Sequence, residues 1–208
     1  MTDPNHPVAS AASAASAATG LRRIVVLRHG RTSWNADGRF QGQADPPLDA
    51  MGRAQASDVA ALIGALEPDV IVSSDQQRAL QTAQPLARLT GLDVRAEPRL
   101  RERGLGHWEG LTRAEVAEQF PDELADWLAG RDVSRRGGED LAAVVERTTA
   151  VVAGLGDVGL AVLVTHSATA SALLTALLGV PVRSRFLGPL ANCHWSEVRA
   201  EVSGWRLR

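Results

Sequence analysis

Four short segments of this chain carry residue types able to handle a phosphoryl group. They are Arg28-His29-Gly30, Ser73-Ser74-Asp75 with Arg78 close behind, Arg101-Glu102-Arg103, and Thr165-His166-Ser167. A guanidinium offers forked N–H donors that match two phosphate oxygens at once, so Arg28 and Arg78 are candidate ligands for a dianion. An imidazole that donates one ring nitrogen to a carbonyl keeps the other nitrogen unprotonated and nucleophilic. His29, followed by the flexible Gly30, is placed for that role. His166 is expected to donate to a non-bridging oxygen and stabilise charge in the transition state. Glu102 is expected to protonate a leaving alkoxide and then, as a base, to activate water, with a bound dianion beside it favouring the protonated form. Together these groups would move phosphate through a transient phosphohistidine on His29.

Such a set works only if the chain brings it together, and the pattern of elements says how. RRIVVL (22–27), DVIV (69–72) and LAVLV (160–164) are short β-branched runs. Between and beside them, 51–66, 76–89, 139–155 and 168–178 place apolar residues at three- and four-residue steps, the period of an amphipathic helix. Short apolar strands alternating with helices predict an α/β fold with a parallel sheet covered on both faces. The end of the chain, 194–200 and 203–208, reads as a closing hairpin. Each candidate segment directly follows a strand or leads out of 93–100. Parallel strands point one way, so all four segments should meet at the carboxyl edge of the sheet, where open α/β sheets bind ligands. Helices expected to begin near Asp75 and Ser167 would add backbone N–H groups there.

Composition narrows the classes. A chain of 208 residues suits one domain, assigned here to 21–208. A net charge of -2 argues against nucleic acid or an anionic membrane as partner. All 22 basic residues are arginine, so arginine richness is a chain-wide bias and only placement counts. The single cysteine, Cys193, excludes an internal disulfide and points to a reduced, cytoplasmic setting. Residues 1–20 form an Ala/Ser repeat with no apolar centre, which reads as a disordered tail rather than a secretory signal. A zinc site on His29, His166 and a carboxylate is set aside, because two arginines facing the same pocket would repel a cation. No metal and no cofactor is expected. His107 and His194 read as loop or edge residues. Trp34 and Trp108 are candidates to wall a substrate cleft, and Glu109 is a rival carboxylate to Glu102.

Leu27-Arg28-His29-Gly30-Arg31-Thr32-Ser33-Trp34-Asn35 resembles the signature of the histidine phosphatase superfamily, the phosphoglycerate-mutase-like proteins. Gln41-Gly42-Gln43, Ser73-Ser74-Asp75 with Arg78-Ala79 and Gln81-Thr82-Ala83, Leu100-Arg101-Glu102 with Gly106 to Gly110, and Val164-Thr165-His166-Ser167 resemble its later motifs, in order. The resemblance implies a three-layer α/β sandwich with a mostly parallel central sheet. It also implies a metal-independent phosphomonoesterase with Arg28, His29, Arg78 and His166 around the phosphate, Glu102 as proton donor, and Asn35 and Gln41 on the substrate side. The partner would be a small phosphorylated metabolite, with a homodimer left open. The absence of tyrosine and the form of the 106–110 loop are similar to the phosphatase branch. The ending 188–195 is similar to actinobacterial members, among them those acting on glucosyl-3-phosphoglycerate. A mutase-type isomerase and a non-catalytic phospholigand-binding protein are the alternatives. Two departures stand out: Ser167-Ala168 replaces a glycine pair common after the second histidine, and Arg31 stands where relatives carry glutamate or glutamine.

Overall fold

The structure, a computed structural model, describes residues 21–131, 134–181 and 187–208; the tail expected over 1–20 lies outside them. Six strands form one sheet: β1 (Arg23–Arg28), β2 (Val70–Ser73), β3 (Val94–Ala96), β4 (Leu160–Thr165), β5 (Trp195–Glu201) and β6 (Gly204–Leu207). Their order across the sheet is β3-β2-β4-β1-β5-β6. The first four run parallel; β5 is antiparallel to β1, and β6 returns beside it as the expected hairpin.

The strands alternate with a period of two, as a sheet covered on both faces requires. Ile24, Val26, Ala161 and Leu163 pack on one face, against α6 (Leu141–Ala153) and α7 (Ser167–Leu177) through Val151, Val152, Leu173 and Leu177. Val25, Leu27, Val162 and Val164 pack on the other, against α2 (Ala50–Gly64) and α3 (Gln77–Thr90) through Val59, Ile63, Ala83 and Leu86. The layers are therefore helix, sheet, helix. Every residue of β4 is buried, and a buried Val or Leu contributes about 1.5–3 kcal/mol, so β4 is a main source of the sheet's apolar stabilisation.

A smaller apolar cluster lies away from the sheet. α4 (Arg113–Gln119) and α5 (Pro121–Leu128) enclose Trp108, Val116 and Leu124, with Phe40 and Trp127 packed against them. Trp108 is fully buried, donates its indole N–H to Glu123 at 2.9 Å, and has the Arg136 guanidinium 5.0 Å above its ring. Trp108 is thus a core residue and not a cleft wall. His107 stacks on Phe120 and pairs with Glu123 beside it. Among the described residues no helix is long and apolar enough to cross a membrane.

Candidate active site

Register decides where the chemistry gathers. Arg28 of β1 pairs with Thr165 of β4, and Ser73 of β2 with Val164. The ladder continues past the strand ends, because His29 donates its backbone N–H to Thr165 and Ser74 donates to Val164, both at 2.9 Å. His29 and His166 are therefore neighbours by construction, their ring centroids 5.0 Å apart, with Ser74 on the adjoining strand end.

His29 is buried and its Nδ1 lies 2.7 Å from the Gly30 carbonyl oxygen. A carbonyl only accepts, so Nδ1 carries the hydrogen and Nε2 holds a lone pair. Burial above all, with Arg78 and Arg28 nearby, pushes the His29 pKa well below the ordinary range. The ring is neutral at pH 7. Gly30 owes its place to space, not to the flexibility expected of it: a Cβ there would sit 2.5 Å from the Gly52 carbonyl oxygen, backbone against backbone. Gly30 N–H donates to Thr82 Oγ1 at 2.9 Å, which ties the loop to α3.

The two arginines are engaged differently. Arg28 spends Nη1 on the Leu190 carbonyl at 2.6 Å, while its Nε is buried without a partner. A buried guanidinium N–H left over is a donor waiting for an anion. Arg78, fully buried at the start of α3, is more heavily used: Nε donates to His166 Nδ1 (3.2 Å), Nη1 to the Ala44 carbonyl (2.6 Å), and Nη2 to the Gly42 carbonyl (3.0 Å) and Gln76 Oε1 (3.3 Å). Four of its five N–H donors are taken and Asp45 Oδ1 lies 3.9 Å from Nη1, so Arg78 offers an anion chiefly its charge rather than the fork expected from its type. Burial is the main reason its pKa falls to about 10.

Because His166 Nδ1 accepts from Arg78, its hydrogen sits on Nε2, which donates to Ser74 Oγ at 2.9 Å. Burial first, then the positive charge of Arg78, keeps this ring neutral as well. Glu102 is brought to the same edge. Its Oε1 accepts from the Arg103 N–H at 2.9 Å and the Thr169 N–H at 3.1 Å, and Oε2 from the Ala168 N–H at 3.3 Å. The carboxylate therefore caps α7, whose own N-cap residue, His166, supplies no side-chain cap. Glu109 does something else: its Oε1 accepts from the Gln43 and Leu105 backbone N–H groups, bracing two loops.

Of the residues expected on the substrate side, Asn35 has its Oδ1 occupied by the Thr32 N–H, the Thr32 hydroxyl and Asn192 Nδ2. It completes a capping box on the short α1 (Ser33–Ala36), leaving only its Nδ2 donors for a ligand. Gln41 is 8% exposed, and its Oε1 is buried without a donor. Among the described residues no group of three His, Cys, Asp or Glu side chains is placed to hold a metal ion.

The model of the histidine phosphatase superfamily, branch 1, matches residues 24–208. The chain belongs to that superfamily. It is 40% identical over 189 residues to glucosyl-3-phosphoglycerate phosphatase of Mycobacterium tuberculosis, covering 85% of each chain. The solved structure of the mycobacterial glucosyl-3-phosphoglycerate phosphatase in complex with VO3 superposes with a TM-score of 0.81 at 38% identity, over 89% of this chain and 97% of that one. More distant is a protein of Escherichia fergusonii named "Probable phosphoglycerate mutase GpmB", 33% identical over 89% of this chain and 88% of its own.

Within this histidine phosphatase several site residues escaped the reading of the sequence. Gln76 is buried and ties the Glu102 N–H (3.0 Å) to Arg78. Asn192 donates to the His29 carbonyl oxygen at 3.1 Å. The Cys193 N–H serves the Arg28 and His29 carbonyls at φ 55°, so the 190–193 turn closes over the loop. Only burial and partners mark these amides; nothing in their spacing does. The Cys193 thiol itself is pushed up to about 12 by burial and is inert at neutral pH. Arg31 pairs with Asp49 at 2.7 Å, at the start of α2.

Proposed function

We propose that this histidine phosphatase hydrolyses a small phosphorylated metabolite in the cytoplasm by way of a phosphohistidine on His29. The observation that carries the reading is the Nδ1 contact to the Gly30 carbonyl, which leaves Nε2 unprotonated in a buried pocket beside two guanidinium groups. Arg28 Nε, Arg78 and the Nε2–H of His166 would hold the phosphoryl oxygens, with the His166 hydrogen shared between Ser74 and the ligand. Nε2 attacks phosphorus as the ester P–O bond breaks, and Glu102 gives the leaving oxygen its proton. Water then attacks the phosphohistidine with Glu102 as base. No step draws on a metal.

Glucosyl-3-phosphoglycerate is the substrate we favour, on the 40% identity to phosphatases of that name. The test is a panel of phosphorylated sugars, glycerates and nucleotides, with His29→Ala beside the native enzyme. His29→Ala should lose turnover while vanadate still binds; undiminished turnover in that variant refutes the nucleophile. Glu102→Gln should lower kcat/KM for alkyl phosphates and spare p-nitrophenyl phosphate, whose leaving group needs no proton. The mutase relative at 33% identity motivates one rival. Labelled phosphoenzyme that passes its phosphate to a second substrate rather than to water would favour it.

A further inference from the structure

The oxygens of Glu102 are held unequally, and one side-chain hydroxyl adds to the better-held oxygen. Oε1 takes the Arg103 and Thr169 N–H groups and lies 3.0 Å from Thr169 Oγ1; Oε2 takes only the Ala168 N–H, at the longer 3.3 Å. Thr169 is fully buried one turn into α7, and its Oγ1 also lies 2.9 Å from the Arg101 carbonyl oxygen. A hydroxyl has one hydrogen, so Thr169 donates to Glu102 or to Arg101, never to both. The neighbouring Thr165 hydroxyl donates to the Leu100 carbonyl at 2.7 Å. The acid-bearing segment is thus fastened at two successive residues to the end of β4 and the start of α7.

We propose that Thr169 is a positioning residue for Glu102, its hydroxyl anchoring Oε1 of the carboxylate and turning to the Arg101 carbonyl when the carboxyl is neutral, so that Oε2 is the atom that exchanges the proton. The inference rests on Glu102 being the acid. In the first step the Oε2–H bond breaks and the proton goes to the leaving oxygen, as the ester P–O bond breaks and the His29 Nε2–P bond forms. Negative charge then reaches Oε1, and the Thr169 hydrogen swings onto it. In the second step a proton of the attacking water goes to Oε2 as the new P–O bond forms and the P–N bond breaks, and the hydroxyl returns to Arg101. The Arg103 and Thr169 backbone N–H groups stay on Oε1 in both states; the Thr169 hydroxyl is the donor that can follow the charge.

The test compares Thr169→Val, which keeps the shape and removes the hydroxyl, with Thr169→Ser, which keeps the hydroxyl. The probes are glycerol phosphate, p-nitrophenyl phosphate and vanadate. kcat/KM reports the steps through phosphorylation, so a fault in proton donation appears as a split between leaving groups. Thr169→Val should lower kcat/KM for glycerol phosphate roughly tenfold, the loss of one hydrogen bond to a charged group, with p-nitrophenyl phosphate and vanadate affinity changed less than about twofold. Thr169→Ser should restore most of the loss, and Thr169→Val placed on Glu102→Gln should cost nothing further. Equal losses on both esters, weakened vanadate binding, or an unchanged rate on glycerol phosphate would overturn the proposal. If Thr169→Val does not fold, Thr169→Ala carries the same comparison. Glu102→Gln separates the two levels. If that variant spares glycerol phosphate, the acid assignment falls; if it fails on glycerol phosphate while Thr169→Val does not, only the role of Thr169 falls.

Discussion

Gln76→Leu is the substitution that most directly tests whether the acid segment and the phosphate pocket form one unit. Gln76 is 3% exposed. Its Oε1 accepts from the Glu102 N–H at 3.0 Å and from Arg78 Nη2 at 3.3 Å, and its Nε2 lies 3.2–3.3 Å from the carbonyl oxygens of Gly42, Gln43 and Ala44. Leucine has a similar volume, so the cavity cost is small. What is lost is polar. Arg78 loses an acceptor in a dry site, worth about 1.5–3 kcal/mol, and the part-buried Glu102 N–H loses about 1 kcal/mol. The sum is about 2.5–4 kcal/mol. For a domain of this size that lowers Tm by about 5–15 °C. Urea unfolding at pH 7 should show a lower midpoint with an unchanged slope. Activity on alkyl phosphates should fall as well, because only the Asp75–Arg101 pair at 2.6 Å and the Gln43 Nε2 bond to the Glu102 carbonyl would be left to tether that side. A change below about 0.5 kcal/mol, the size of an ordinary surface substitution, would refute the idea that this amide joins the two.

Three further outcomes follow from the same structure. His29 and His166 are held neutral by burial and by the arginines, while an unfolded histidine titrates near 6.5. The unfolded chain then binds protons that the folded chain refuses, so this stability is fully present above that pH and falls below it, by about 1.4 kcal/mol for each ring at about pH 5.5. Thermal unfolding from pH 8 to 5 should show the decline, and a flat Tm over that window would contradict it. Gly30→Ala should cost about 1–3 kcal/mol and most of the activity, since backbone faces the added methyl; wild-type Tm and kcat would show that the loop can yield. EDTA should leave turnover unchanged, and a loss restored by added Zn2+ would demand a metal-based mechanism.

Residue types and period alone determined the class of this fold. Alternating β-branched runs and amphipathic helices specify a covered parallel sheet, because burial on both faces leaves few other solutions. They also determined that His29, Ser74 and His166 lie together, since each follows a strand that points the same way. The sequence could not decide how donors are shared. Arg78 reads as a phosphate fork, but loop 42–44 folds over α3 and its carbonyls take two guanidinium nitrogens. Asn35 reads as a ligand through its whole amide, but its oxygen caps α1 and only Nδ2 is left to donate. Trp108 reads as a cleft wall, but α4 and α5 bury it. Gln76 and Thr169 carry no sign in one dimension, because an amide or hydroxyl becomes decisive only when distant backbone groups are packed beside it without water. Periodicity survives in a linear string because burial repeats with the element. Hydrogen-bond partners do not, because tertiary packing chooses them from residues tens of positions away.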